Sequence, residues 1–414
     1  MSSEEIPVPQ SAGRRLISFV VLWLSGASLR LTILVIPPLV PLLHADLHLS
    51  ESGIGLLSSL PPLLFSIAAV PGALLIARFG IKSTLVLGLL LTALASAARG
   101  AIPNVICLYA TTIAMAAGVS IMQPALPPLV RTWFPHRIGF ATAVYTNGLL
   151  LGEVLVAALT IPLVLPLVGN SWRLSLVIWA VPVLLTALLV VTCTPHVAAS
   201  RNPNASKKSA WWPDWKHPLI WRLGLLLGSV NAMYFVANAF LPDYMVSAGR
   251  PDLIGSALTA LNLCQVPASF LMLAFAGRLV TRPWAYVATG SLSFLSIIGI
   301  MSMKGIWIVF WAGLLGFANA ITMILAFALP SVLGAPHDVH RTSAGMFTIS
   351  YSCAMALSVL TGFLWDETHL PITGFLPIAL CALVIPLLAS SVSRPGLRQA
   401  SGDGVATSAG GMSD

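Results

Sequence analysis

The stretch "TPHVAASRNPNASKKSAWWPDWKHP", residues 194–218, is the longest internal polar run in a chain that is otherwise 57% hydrophobic and only 8% charged. With 414 residues and a mean hydropathy of +0.92, the chain has too little polar surface for a soluble protein of this size. Its solvent is lipid. In hydrocarbon the backbone must satisfy its own hydrogen bonds, so each apolar run of about 20 residues reads as a helix. Working outward from 194–218, polar breaks such as "HADLHLSE", "RFGIK", "RTWFPHR", "AGRPD" and "GAPHDVHR" separate six runs on either side. The runs are 16–43, 52–77, 83–98, 104–130, 138–168 and 173–193, then 219–246, 253–277, 284–302, 305–333, 342–365 and 372–391. The pattern predicts an all-α membrane protein with twelve transmembrane helices in two six-helix bundles, 16–193 and 219–391. They are joined by a cytoplasmic linker, 194–218, and flanked by an N-terminal tail, 1–15, and a disordered C-terminal tail, 392–414.

The distribution of Lys and Arg fixes the expected orientation. With the N-terminus inside, sixteen of the 21 basic residues fall on the cytoplasmic side. The outer loops receive Arg99, Arg173, Arg250 and Lys304, and Arg30 is left within a span. This is the positive-inside bias, and it predicts a multi-pass inner-membrane protein with both termini cytoplasmic. The net charge of +8 is then a topology signature, and no nucleic-acid partner is needed to explain it. In the linker, Trp211, Trp212 and Trp215 interleave with Lys207, Lys208 and Lys216, as expected of a piece anchored at lipid headgroups. The five cysteines are scattered through apolar segments without metal-ligand or disulfide spacing and read as small hydrophobes.

The halves echo each other at an offset near 200 residues. "SESGIGLLSSL" from Ser50 is similar to "RPDLIGSALTAL" from Arg250, and "LPPLVRTWFPHRIGFATAVY" is similar to "LPSVLGAPHDVHRTSAGMFTISY". Duplicated bundles of this kind place a substrate site at the midplane between them. Arg30 is a cation in an apolar run, at a cost of at least about 2.5–3.5 kcal/mol. Glu153 is the one carboxylate deep in a span; the other twelve acids lie in tails, loops or segment ends. Each sits 14–15 residues into a helix entered from the inside, so both reach a depth of about 20–24 Å. The pair either ties the first bundle together permanently or opens to release Arg30 for an anion, and a proton on Glu153 would favour release. Gln123 and Asn147 in the first half, with Asn231, Tyr234, Asn238, Gln265 and Tyr351 in the second, are the expected polar lining of the cavity. By the offset, Asn231 stands where Arg30 stands in the first repeat. Asp243, after Pro242, is a candidate outer gate.

Several stretches carry a family resemblance: "LRLTILVIPPLVPLL" from Leu29, "GLLSSLPPLLFSIAAVPGALLIARFG" from Gly55, "GVSIMQPALPPLVRTWFPHRIGFATAVYTNG" from Gly118 and "NSWRLSLVIWAVP" from Asn170. Together they resemble the cyanate/2-nitroimidazole permease branch of the major facilitator superfamily, with a looser match in "NAMYFVANAFLPDYMVSAG" and "LCQVPASFLM". The resemblance implies a secondary transporter of small anions or small polar solutes working by alternating access, with Arg30, Gln123 and Gln265 on matching positions. Two departures stand out. "ALLIARFGIK" keeps Arg78, Gly80 and Lys82 of the superfamily's loop motif but has Ala77 where the acid belongs, so other contacts must hold the cytoplasmic gate, with Arg78, Lys82 and Arg131 as the gate candidates on that side. Glu153 stands where relatives usually have a small residue.

Other function classes find little support. No HExxH, GxSxG or phosphate-cradling glycine motif occurs, and the eight histidines sit mainly in tails and loops, which argues against an enzyme, a cofactor or ATP drive. The tails are too short for a signalling domain, which argues against a receptor. The expectation is a monomeric, proton-coupled symporter whose partners are a small anionic or polar solute, protons and the lipid bilayer. A polyspecific drug/proton efflux pump of the same fold is the alternative.

Overall fold

The computed structural model describes residues 12–47, 51–101, 104–193, 212–335 and 338–389. The C-terminal tail, residues 1–11 and the linker up to Trp211 lie outside the described residues, with Lys207 and Lys208 among them. Eleven described helices are long and apolar enough to cross a membrane, and a shorter apolar helix, Leu16–Leu31, precedes them. Twelve spanning units follow. Unit α1 covers 12–47 in two pieces, Ala12–Leu31 and Ile36–Leu47; α2 is Glu51–Phe79 and α3 Ile81–Ala101. Next come α4 (Val105–Trp133), α5 (Ile138–Leu167) and α6 (Trp172–Cys193), then α7 (Pro218–Ser247) and α8 (Pro251–Leu279). The last four are α9 (Pro283–Ser302), α10 (Ile306–Leu333), α11 (Val339–Thr368) and α12 (Ile372–Ala389).

The packing repeats with a shift of six helices. In the first half α1 packs on α5, and α3 on α4 and α6; in the second α7 packs on α11, and α9 on α10 and α12. Between halves, α2 meets α11 and α5 meets α8. Two bundles related in this way are what the sequence echo predicts.

Proline sets where the helices bend. Pro37 and Pro38 lack N–H groups, so the carbonyls of Ile33 and Leu34 lose their helical partners, and each proline also pushes the residue before it out of the α region. The chain accordingly turns over Thr32–Val35, with Ile33 N and Leu34 N both donating to Arg30 O at 3.1 Å. Similarly, Pro124 and Pro127 accompany a 3₁₀ segment, Gln123–Ala125, in α4. Pro267 follows the interruption at Cys264 that splits α8 into Ile254–Leu263 and Gln265–Leu279.

The break in α1 corrects one expectation. Arg99, assigned to an outer loop, is in the last turn of α3 and only 1% exposed. Its Nη2 donates to Thr32 O, inside the break, and to Ser96 Oγ at 3.1 Å. A carbonyl freed in lipid needs a donor, and α3 supplies one. A run of hydropathy that ends at a basic residue reads as a span end, which is why the sequence alone placed Arg99 outside.

Close helix contact brings α1 and α5 together. A Cβ on Gly26 would lie 1.9 Å from Tyr145 O, and one on Gly148 would lie 2.1 Å from Trp23 O. Glycines spaced four apart, here Gly148 and Gly152, let two backbones touch where lipid offers no hydrophobic drive.

Candidate functional site

That contact sets the central pair. With α1 and α5 in register, Arg30 Nε lies 3.0 Å from Glu153 Oε1, and the two side chains are 13% and 12% exposed. Nearly two turns back on α5, Asn147 Oδ1 accepts from Trp23 Nε1 of α1 at 2.9 Å.

A cavity of about 560 Å³ lies between the halves. Leu34, Pro38 and Glu153 line it from the first half, and Tyr234, Asn238 and Asn262 from the second. All of its lining residues lie in the parts of α1, α5, α7 and α8 remote from the linker. Glu153 is on the wall, and Arg30 is bound beside it. The opposite wall carries a chain of amides: Gln265 Nε2 donates to Asn262 Oδ1 at 3.5 Å, Asn262 Nδ2 to Asn238 Oδ1 at 2.8 Å, and Asn238 Nδ2 to Tyr234 O at 2.9 Å. Asn238 and Asn262 line the cavity, and Gln265, just after the break in α8, is buried behind them. The rest of the wall is mostly aliphatic.

The other expected residues are buried in ties. Gln123 Nε2 donates to Tyr351 OH at 2.9 Å across the halves. Asn147 Nδ2 donates to Ser269 Oγ at 2.9 Å, also across the halves, and Asn231 Nδ2 to Ser350 Oγ at 2.8 Å within the second. None of Gln123, Asn147, Asn231, Gln265 or Tyr351 lines the cavity. Tyr351 instead joins a run of rings that crosses the interface. Its centroid is 5.0 Å from Phe65 and 6.4 Å from Phe347, Phe347 is 5.4 Å from Phe327, and Phe327 is 6.1 Å from Tyr145. Tyr145 precedes Glu153 by about two turns toward the linker face, so the run lies beneath the cavity floor.

Below the rings the linker face is closed. Arg131 Nη1 donates to Gly334 O and Ser331 Oγ to Pro127 O at 2.7 Å, each joining α4 to the C-terminal end of α10. Here too α5 and α8 touch, since a Cβ on Gly139 would sit 2.5 Å from Gly277 Cα. The remaining gate candidates lie elsewhere. Arg78 is exposed at the end of α2, Lys82 Nζ donates to Val191 O at 3.1 Å within the first half, and Asp243 is exposed on the far side.

Residues missed in the sequence were Arg99 and the contact glycines. The spacing Gly148–Gly152 immediately before Glu153 is the signal that would have paired α5 with α1.

Comparison with known proteins agrees with this fold. The chain is 24% identical over 395 residues to the 2-nitroimidazole transporter of Escherichia coli, covering 92% of this chain and 96% of that protein. It is 26% identical over 334 residues to the cyanate transport protein CynX of the same organism, covering 78% and 82%. Its fold superposes on the E. coli fucose:proton symporter FucP with a TM-score of 0.77 at 18% identity, over 92% of this chain and 99% of that one. Residues 22–359 match the profile of the Major Facilitator Superfamily. The chain therefore belongs to that superfamily and is a multi-pass membrane transporter rather than an enzyme.

Proposed function

We propose that this transporter moves a small anion or small polar solute by alternating access, with the Arg30–Glu153 pair as its substrate- and proton-responsive element. The observation that carries the reading is the pair itself, a 3.0 Å contact on the wall of the inter-bundle cavity. A guanidinium stays charged and offers a planar donor fork suited to an anion or a nitro group. While Glu153 is ionised it occupies that fork. A proton on Glu153 weakens the contact and frees Arg30 for solute, so proton and solute enter together. The amides of Asn238 and Asn262 orient the solute from the opposite wall.

With the linker face cytoplasmic, as the positive-inside count predicts, the cavity faces outward and the Arg131 and Ser331 ties hold the inner side shut. The proposed cycle opens these ties and the ring run beneath the floor while the far-side helices close. Cyanate and 2-nitroimidazole, for which these relatives are named, fall in the class proposed. The aliphatic walls and the 560 Å³ volume favour the heterocycle over the triatomic ion.

Uptake into proteoliposomes, with and without an imposed pH gradient, tests the scheme. Glu153→Gln is expected to lose gradient-driven accumulation while keeping solute exchange at zero gradient. Accumulation by Glu153→Gln that still follows the pH gradient as in the wild type would reject the coupling role. Equal uptake by wild type and Arg30→Ala would remove Arg30 from the site.

A further inference from the structure

The Arg99 guanidinium is the most deeply buried charge among the described residues, and the transport scheme does not use it. Arg cannot shed its proton in a protein, so the charge persists. Nη2 makes both of its hydrogen bonds, while Nε and Nη1 are buried and meet no acceptor among the described residues. No carboxylate among the described residues pairs with it; the four ion pairs found involve Arg30, Arg173, Arg250 and Arg341. Beside Arg99 lies a second cavity of about 80 Å³, walled by Leu34, Pro37, Leu57, Pro61, Thr112 and Met115. A water needs roughly 10–15 Å³ of such space, so the cavity admits a halide with a few waters or a linear triatomic ion. Sulfate and phosphate would bring two charges and four oxygens to one cation in an apolar chamber. Leu34 and Pro37 line both cavities, so the broken segment of α1 is the partition between them.

We propose that Arg99 and the cavity behind the α1 break form a site for one small monovalent anion, of halide or linear-triatomic size, distinct from the Arg30–Glu153 site. A neutral occupant such as water would satisfy the N–H groups but leave a full charge in a low-dielectric interior, which costs several kcal/mol. An anion neutralises that charge while Nη2 stays on the Thr32 carbonyl, so it stabilises the bend that shapes the cavity wall. The site does not depend on the transported solute's being an anion.

The test uses the purified full-length chain, exchanged into gluconate and titrated with chloride, bromide or sulfate at matched ionic strength. Chloride and bromide are expected to raise Tm in a saturable way in the wild type and equally in Arg30→Gln, with sulfate inactive and the response lost in Arg99→Gln. Crystals of the wild type in bromide should give an anomalous peak beside Arg99 Nε and Nη1, which decides the matter even if Arg99→Gln fails to fold. A peak only at Arg30, a halide response that survives in Arg99→Gln, or no peak with no response would overturn the proposal. None of these results bears on uptake by the Arg30–Glu153 site, which is assayed separately.

Discussion

Helix for helix the two halves share one packing plan, yet they treat corresponding positions differently. In α1, Arg30 lies in the last turn of a helical piece, the backbone turns over Thr32–Val35, and the side chain pairs with Glu153, which lines the cavity. In α7, Asn231 stands at the matching place in a helix that runs unbroken from Pro218 to Ser247, and its amide is used up on Ser350. The first half therefore carries the charges, with Arg30, Glu153 and Arg99 all within its own helices, whereas the second presents neutral amides. Duplicating a bundle copies its contacts cheaply. Charges in hydrocarbon are costly enough that one set suffices, and the neutral half can move against it without stripping a second ion pair.

Breaking the charged half should have the largest effect. Arg30→Ala is expected to reduce uptake by at least about 100-fold and to lower Tm, since an unpartnered buried carboxylate costs about 3–5 kcal/mol. Gly26→Leu should separate α1 from α5, because its Cβ has no room beside Tyr145 O. Folded yield by size-exclusion chromatography should fall sharply, and Arg30→Ala should not share that loss in full. Moving to the neutral wall, Asn238→Ala should raise KM by about 10-fold, equivalent to ~1.4 kcal/mol, with the fold intact. Asn231→Ala sharpens the contrast: as an interhelical tie worth about 0.6 kcal/mol it should shift Tm slightly and leave KM within about twofold. If Asn231→Ala matched Asn238→Ala in KM, the two halves would be more alike in function than their geometry implies.

Much of this was legible in the residues. Helix number and the division at the linker follow from hydropathy, since lipid leaves the backbone few alternatives. The Arg30–Glu153 contact followed from depth alone, because one residue rise fixes where each charge lies in its helix. Which amides face the cavity was not legible. Gln123, Asn147 and Asn238 look alike in sequence, and only the proline-induced breaks and the rotation of each helix decide whether an amide meets solute or another helix. Arg99 was misplaced for a related reason: hydropathy counts a charge as an ending, whereas a bent neighbour can make it a partner. The aromatic run was out of reach because its five rings come from four helices in both halves, although Tyr145 and Tyr351 do close the two echoing stretches.

The ties on the linker face, Arg131 to Gly334 O and Ser331 to Pro127 O, both end on peptide carbonyls. A carbonyl does not titrate, and neither Arg131 nor Ser331 changes charge over the physiological range. Ala77 removes the carboxylate that the superfamily's loop motif would have placed nearby. Under the proposed role of Glu153, acid would unlock the cavity without loosening the barrier beneath it, so the sensing of protons and the holding of the closed side would answer to different variables. A membrane facing a proton gradient needs that separation, because a barrier that softened in acid would leak protons at the moment it should be collecting them.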